Sequence, residues 1–198
     1  MSMWYEIIVN GSEDALRGFV AGCEAALGGK EAVVFGHDLD LEASSFSQRL
    51  QELFAAGSHH VVFAPAKLAK EVMIALGARG DEAGLGLERV REVVRARLPF
   101  TAEVFSQDVA TKIRQKLLAG PPPGVEGEHI EESEERDPSA CGAELYTPEH
   151  AYVFRVAGTF VGPLPGIIEM RRRARDLPFV KVKALELETR PADAPGRS

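Results

Sequence analysis

A mixed fold is expected, with an N-terminal βαβαβα layer of α/β character followed by a ferredoxin-like βαββαβ unit of α+β character. Three observations lead there. Over the first 80 residues, short near-continuous apolar runs alternate with segments of helical period. Beyond residue 86 the elements read strand, helix, strand, strand, helix, strand, the order of a ferredoxin-like unit. The composition, 45% hydrophobic and 27% charged over 198 residues, is that of a folded chain long enough to bury a core in one domain or two. It excludes a collagen-like repeat and a wholly disordered chain.

The first strand is expected over residues 4–9, apolar and partly β-branched. Asn10-Gly11-Ser12 then offers a turn and an N-cap, with Glu13 and Asp14 in the first helical turn, where carboxylates suit the dipole. Leu16, Phe19, Val20, Cys23 and Leu27 recur at helical spacing, and Gly28-Gly29 ends that helix. Residues 32–35 read as a buried strand. Ser44 or Ser45 is placed to cap a helix striped by Phe46, Leu50, Leu53 and Phe54. Residues 61–63 form another short apolar run. Pro65 suits the first turn of a helix carrying Leu68, Val72 and Leu76. Buried strands alternating with helices point to a small parallel sheet.

The Gly-rich stretch 80–86 is the expected boundary. It gives a domain at 1–80, a second at 86–190 with an acidic loop at 124–149, and a flexible tail at 191–198. A long strand or a bent strand pair is expected over 90–105, with Val94, Ala96, Leu98 and Phe100 on one face. Leu87, Val90, Val94 and Leu98 also fit a helix, and periodicity alone leaves both readings of 87–98 open. Ser106 precedes a clearer helix with Val109, Ile113 and Leu117 aligned, stopped by Gly120-Pro121-Pro122-Pro123. A polar strand at 125–132 suits a sheet edge. Tyr152, Phe154 and Val156 alternate on one face of the next strand. A helix follows with Ile167, Met170, Ala174 and Leu177 inward. The last strand is expected at 179–187, with a slip of parity near Leu185 that marks a bulge or strand end.

The overall charge of -7 is unevenly spread. Residues 1–85 hold 6 basic and 12 acidic groups, while residues 120–149 hold 1 and 9. Residues 86–119 carry 7 and 4, and residues 150–190 carry 8 and 4. Strand parity turns Arg95, Arg97, Arg155, Lys181 and Lys183 away from the helices of the second half. These five cations are therefore expected to converge on one open sheet face. Such a face suits an acidic partner, including the chain's own Glu131–Glu135 stretch or that of another copy. It also suits nucleic-acid phosphates, or simple solvation. The RNA-recognition form is disfavoured, because Tyr152 and Phe154 have core parity rather than standing on the face as stacking platforms. The run Arg171-Arg172-Arg173 with Arg175 is expected opposite Met170 and Ala174, near a helix C-terminus.

Chemistry is suggested at one place. Ligands of parallel sheets bind beyond the carboxyl ends of the strands. Those ends would bring together His37, Asp38, Asp40 and Lys67: a His with two carboxylates for a divalent cation, and an ammonium for an anionic substrate. The bland alternative continues the strand, with Asp38, Asp40 and Glu42 as its solvent face. His59 and His60 are adjacent on a strand and point to opposite faces, which disfavours joint chelation. Cys23 belongs to an apolar stripe. Cys141 sits in a more open stretch, and His129 and His150 flank the acidic loop.

The expectation is a soluble cytoplasmic protein of binding or assembly function and unknown ligand, self-associating into homo-oligomers through sheet surface, with a small anionic ligand a secondary partner, nucleic acid a lesser one, and no membrane span. The alternative is a metal-assisted enzyme, the one reading that implies a cofactor, a divalent metal. No motif ties the chain to a family. Two cysteines without metal or redox spacing suit a reducing compartment.

Overall fold

The computed structural model describes residues 3–136 and 152–192. The chain folds as two compact units, Met1–Arg95 with Glu186–Ser198, and Ala96–Leu185. The stretch 80–86, expected to part the chain, lies inside the first unit, and the division falls within a strand.

The first unit contains β1 (Trp4–Asn10), α1 (Glu13–Ala26), β2 (Val34–Phe35), α2 (Gln48–Ala55), β3 (His59–Pro65) and α3 (Ala66–Arg79), the expected βαβαβα order. Ser12 caps α1, its hydroxyl accepting from the Ala15 amide at 3.2 Å. Ser47, not Ser44 or Ser45, caps α2, because residues Ala43–Ser45 are taken up in a 3₁₀ turn. The first part of β4 (Gly86–Val104) completes a sheet ordered β2-β3-β1-β4, with β8 (Glu186–Pro191) also on β4.

That sheet is antiparallel at the β1–β3, β1–β4 and β2–β3 pairings, which corrects the expected parallel one. Near-continuous apolar strands report only that both faces are covered, not the direction of the neighbouring strand. Ile7, Val9, Val62 and Ala64 bury one face against Leu16 and Val20 of α1 and Leu68 and Val72 of α3. On the other face Glu6, Ile8, Val61 and Phe63 are buried as well.

The second unit runs from the later part of β4 through α4 (Gln107–Leu118), β5 (Glu126–Arg136), β6 (Tyr152–Gly162), α5 (Leu164–Arg175) and β7 (Val180–Val182). Its sheet is ordered β5-β6-β4-β7 with every pairing antiparallel. This is the ferredoxin-like unit, and the polar strand β5 lies at its edge. The order β2-β3-β1-β4 of the first unit is the same arrangement, with α2 inserted between its second and third strands.

Residues 87–98 are strand throughout. Ala96, Leu98, Phe100, Ala102 and Val104 face the helices, with Phe100 and Phe160 stacked at 5.0 Å between ring centroids. Val94 departs from the expected set, because Val93 is buried in its place. Val93 pairs with Trp4 in the first unit and Ala96 with Gly162 in the second, so the alternation is reset between them. Much of the expected acidic loop is strand β5; residues 137–149, with Cys141, and also His150 lie outside the described residues. The last strand is two, β7 and β8, parted by residues 183–185. The expected tail at 191–198 begins with Pro191 still in β8, and residues 193–198 are outside the described residues. Arg171 is buried to 5% exposure, contrary to expectation. It lies four residues after Ile167 and three before Ala174, on the buried stripe itself.

Candidate functional site

Between β2 and α2 the chain turns sharply. Gly36–Leu39 forms a 3₁₀ turn closed by Asp40 in the left-handed region at φ 45°, a conformation Asp tolerates better than most residues. At Gly36 a Cβ would collide with the Val61 side chain, so glycine lets the turn sit against β3. The segment beyond it carries Phe46 and Phe54, whose rings meet edge to face at 5.1 Å. Gln51 ties α2 back to this segment, donating to the carbonyls of Ala43 at 2.6 Å and Phe46 at 2.9 Å.

A cavity of about 530 Å³ lies beneath, at the first residues of β3. Leu41, Phe46, Phe54 and Val61 give it an apolar wall, and Glu13, His37, Asp40, Gln51, His59 and His60 supply its polar groups. His59 and His60 stand at adjacent strand positions, yet both line the cavity. His59 is nearly buried; its Nδ1 lies 3.2 Å from the Ser58 hydroxyl and its Nε2 3.7 Å from Glu88. His60 Nε2 is buried with no hydrogen-bond partner among the described residues.

Arg17 organises one side. Its guanidinium lies 4.2 Å from the Phe35 ring centroid, donates from Nε to Glu13 at 2.8 Å, and places Nη2 3.2 Å from His37 Nε2. The hydrogen bond from Arg17 holds the Glu13 carboxyl below its ordinary range, burial opposes this, and the charges of Arg17, His37 and His60 add to the lowering. His37 Nε2 is also 3.3 Å from Asp38.

His37, Asp38 and Asp40 therefore do share one turn, but Lys67 does not join them. In an antiparallel sheet successive strands end on opposite sides, and Phe35 pairs with Val62 while Pro65 pairs with Trp4. Lys67, exposed at the start of α3, belongs to the other end of the sheet. Among the described residues no group of three or more His, Cys, Asp or Glu is arranged to hold a metal ion. Glu13, His59 and His60 were not in the expected set. Glu13 reads from the sequence as a first-turn carboxylate of α1, and the antiparallel pairing that brings the start of β3 beside the end of β2 has no signature in the sequence.

On the second unit's sheet, Arg97, Arg155, Lys181 and Lys183 do lie on the face away from the helices, as their pairing with β6 and β4 requires. Glutamates share that face. Arg97 donates to Glu128 at 2.8 Å, and Arg155 to Glu103 at 2.9 Å and Glu135 at 3.2 Å. The hydrogen bond that Arg155 donates to Glu103, with the charges of Glu135 and Glu103, raises the Arg155 pKa further. Arg95 is exposed and belongs to the first unit. Cys23 is buried, which holds its thiol above the ordinary range and makes it unreactive.

No protein-family model matches the chain, and no curated protein matches it. Among solved structures it is similar to an unknown protein from Galdieria sulphuraria, at 12% identity over 94% of this chain and 98% of that one, with a TM-score of 0.30. It is also similar to a proposed glycine cleavage system transcriptional repressor, at 10% identity over 97% and 99%, with a TM-score of 0.27. Neither likeness, at that score, bears on function. No helix among the described residues is long and apolar enough to cross a membrane.

Proposed function

We propose that the chain is a small-molecule binding protein whose ligand enters the cavity between the Gly36–Leu39 turn, α2 and the start of β3. One observation carries this reading. A space of about 530 Å³ joins an edge-to-face phenylalanine pair to a few polar groups, the make-up and size of ligand pockets in general. Assembly or nucleic-acid binding through the second unit's sheet face has less support, since Arg97 and Arg155 direct their guanidiniums to glutamates of the same chain. Metal-assisted chemistry has less still, with Lys67 away from His37, Asp38 and Asp40.

Ala43 is exposed and lines the cavity, so Ala43→Trp should obstruct the space at little cost to folding. In an amide NMR titration with phenol, wild-type shifts should concentrate on Glu13 and residues 36–61, and should vanish in Ala43→Trp. Shifts spread over the second unit, or unchanged in the variant, would refute the assignment.

A further inference from the structure

We infer that the second unit carries a site of its own for a small aromatic carboxylate, at the end of its sheet where Phe105 and Phe179 accompany Lys181. The site lies wholly within that unit and does not rest on the binding role proposed above. A space of about 370 Å³ is lined there by Thr101, Glu103, Phe105, Val153, Phe179 and Lys181, a size that suits a small ligand. Strand register builds it. Thr101 pairs with Lys181 and Glu103 with Arg155, so Thr101, Glu103 and Lys181 share the face turned away from the helices. Phe105 and Phe179 stand just outside β4 and β7, 53% and 62% exposed.

Phe179 is the decisive residue. Pro178 and Phe179 are the central pair of a turn in which the Val180 amide donates to the Leu177 carbonyl at 3.4 Å, and Phe179 has φ 68°. That position ordinarily takes Gly or Asn, because a larger side chain strains the backbone there. The ring gains no core burial in return. A residue that strains the chain and holds an aromatic ring in water has its use outside the fold. Charge supplies the ligand's second feature. Glu103, the carboxylate of this cavity, already receives Arg155 through Nε at 3.0 Å and Nη2 at 2.9 Å. Lys181 makes no ion pair with any described residue, which leaves an ammonium with three donors beside the Thr101 hydroxyl. A ligand carboxylate takes those donors, while its ring lies against Phe105 and Phe179 in the offset or edge contacts that aromatic groups prefer. An amine would meet Lys181 with like charge.

Three probes of similar size, 3-phenylpropionate, 2-phenylethanol and 2-phenylethylamine, test this when titrated at neutral pH into the full chain and followed by amide NMR, which reads each cavity separately. The acid should shift Thr101, Glu103, Phe105, Val153, Phe179 and Lys181, with at least about tenfold higher affinity there than either other probe. Lys181→Gln should remove that preference and Lys181→Arg should keep it. Phe179→Gly should lose binding while keeping or raising the thermal midpoint, because glycine takes positive φ freely, and Phe179→Asn should behave alike. Equal affinity for acid and alcohol, or a preference that survives Lys181→Gln, would overturn the carboxylate assignment. Unchanged binding in both Phe179 variants, a lowered midpoint in both, or no shift at these six amides would overturn the site. Shifts confined to Glu13 and residues 36–61 would overturn it too and leave the first cavity's role standing.

Discussion

In the first unit, Glu6 stands on the sheet face turned away from α1 and α3 with no exposure to solvent, and receives Arg91 at 2.8 and 2.9 Å and Arg89 at 3.3 Å. In the second unit, Glu128 on the corresponding face is 31% exposed beside Arg97, while Glu103 and Glu135 are 50% and 59% exposed around Arg155. The chemistry is the same, cross-strand Arg–Glu pairing within one strand order. Depth separates the cases. A buried carboxylate has lost its hydration and depends on its partners, so removing one partner leaves an uncompensated charge. An exposed pair exchanges one high-dielectric environment for another, and water replaces whatever is removed.

The largest expected effect is therefore at Glu6. Glu6→Gln leaves Arg89 and Arg91 facing each other without a counter-charge and should destabilise the first unit by about 3–5 kcal/mol. Trp4, the only tryptophan, projects from the same face of β1 two residues away, so urea denaturation followed by its fluorescence reads this unit. Replacing all three groups by apolar ones, Glu6→Leu with Arg89→Met and Arg91→Met, should cost far less than the single change, because no charge is left buried. A triple variant weaker than Glu6→Gln would show that the pairing itself, rather than its interruption, holds the face together.

Next in size is Glu128→Gln, expected at about 0.5 kcal/mol because the pair with Arg97 is partly exposed. Glu103→Gln should be smaller again, as water reaches both partners, and added salt should erase it first. Far-UV denaturation of the three single variants, Glu6, Glu128 and Glu103, should rank them by burial. Equal losses would break the contrast between the two faces.

That ranking was only half legible in the sequence. Strand parity correctly turned Arg97, Arg155, Lys181 and Lys183 away from the helices of the second unit, because alternation along a strand is a local property. It could not show that Glu103, Glu128 and Glu135 come to the same face, since that depends on register across β4, β6 and β5. In the first unit the element order was readable and strand direction was not, for Ile7, Ile8 and Val62 are apolar under either pairing. That one ambiguity placed Lys67 beside His37 and hid Glu13, His59 and His60 from the expected site. Arg171 was misplaced for a different reason: three adjacent arginines read as one solvated run, although helical spacing puts the first of them in line with Ile167 and Ala174.

The smallest effects should come from two helix-surface pairs that differ in their surroundings. Glu13 accepts from Arg17 at 2.8 Å and Glu169 from Arg173 at 2.9 Å, each one helical turn apart. The arginine hydrogen bond is the leading cause that lowers each carboxyl below its ordinary range. A folded pKa below the unfolded one contributes stability that is present above the ordinary glutamate value, about 4.3, and is lost as pH falls through the folded value. Side-chain carboxyl NMR between neutral pH and acid should find both midpoints depressed. Arg17→Gln should return Glu13 toward its ordinary value and leave Glu169 in place. His37→Gln should raise Glu13 by less than Arg17→Gln does, because the imidazole acts through charge alone while the guanidinium also donates a hydrogen bond. An equal response to the two substitutions would mean that the cavity's charges, and not the helix pair, set the state of Glu13.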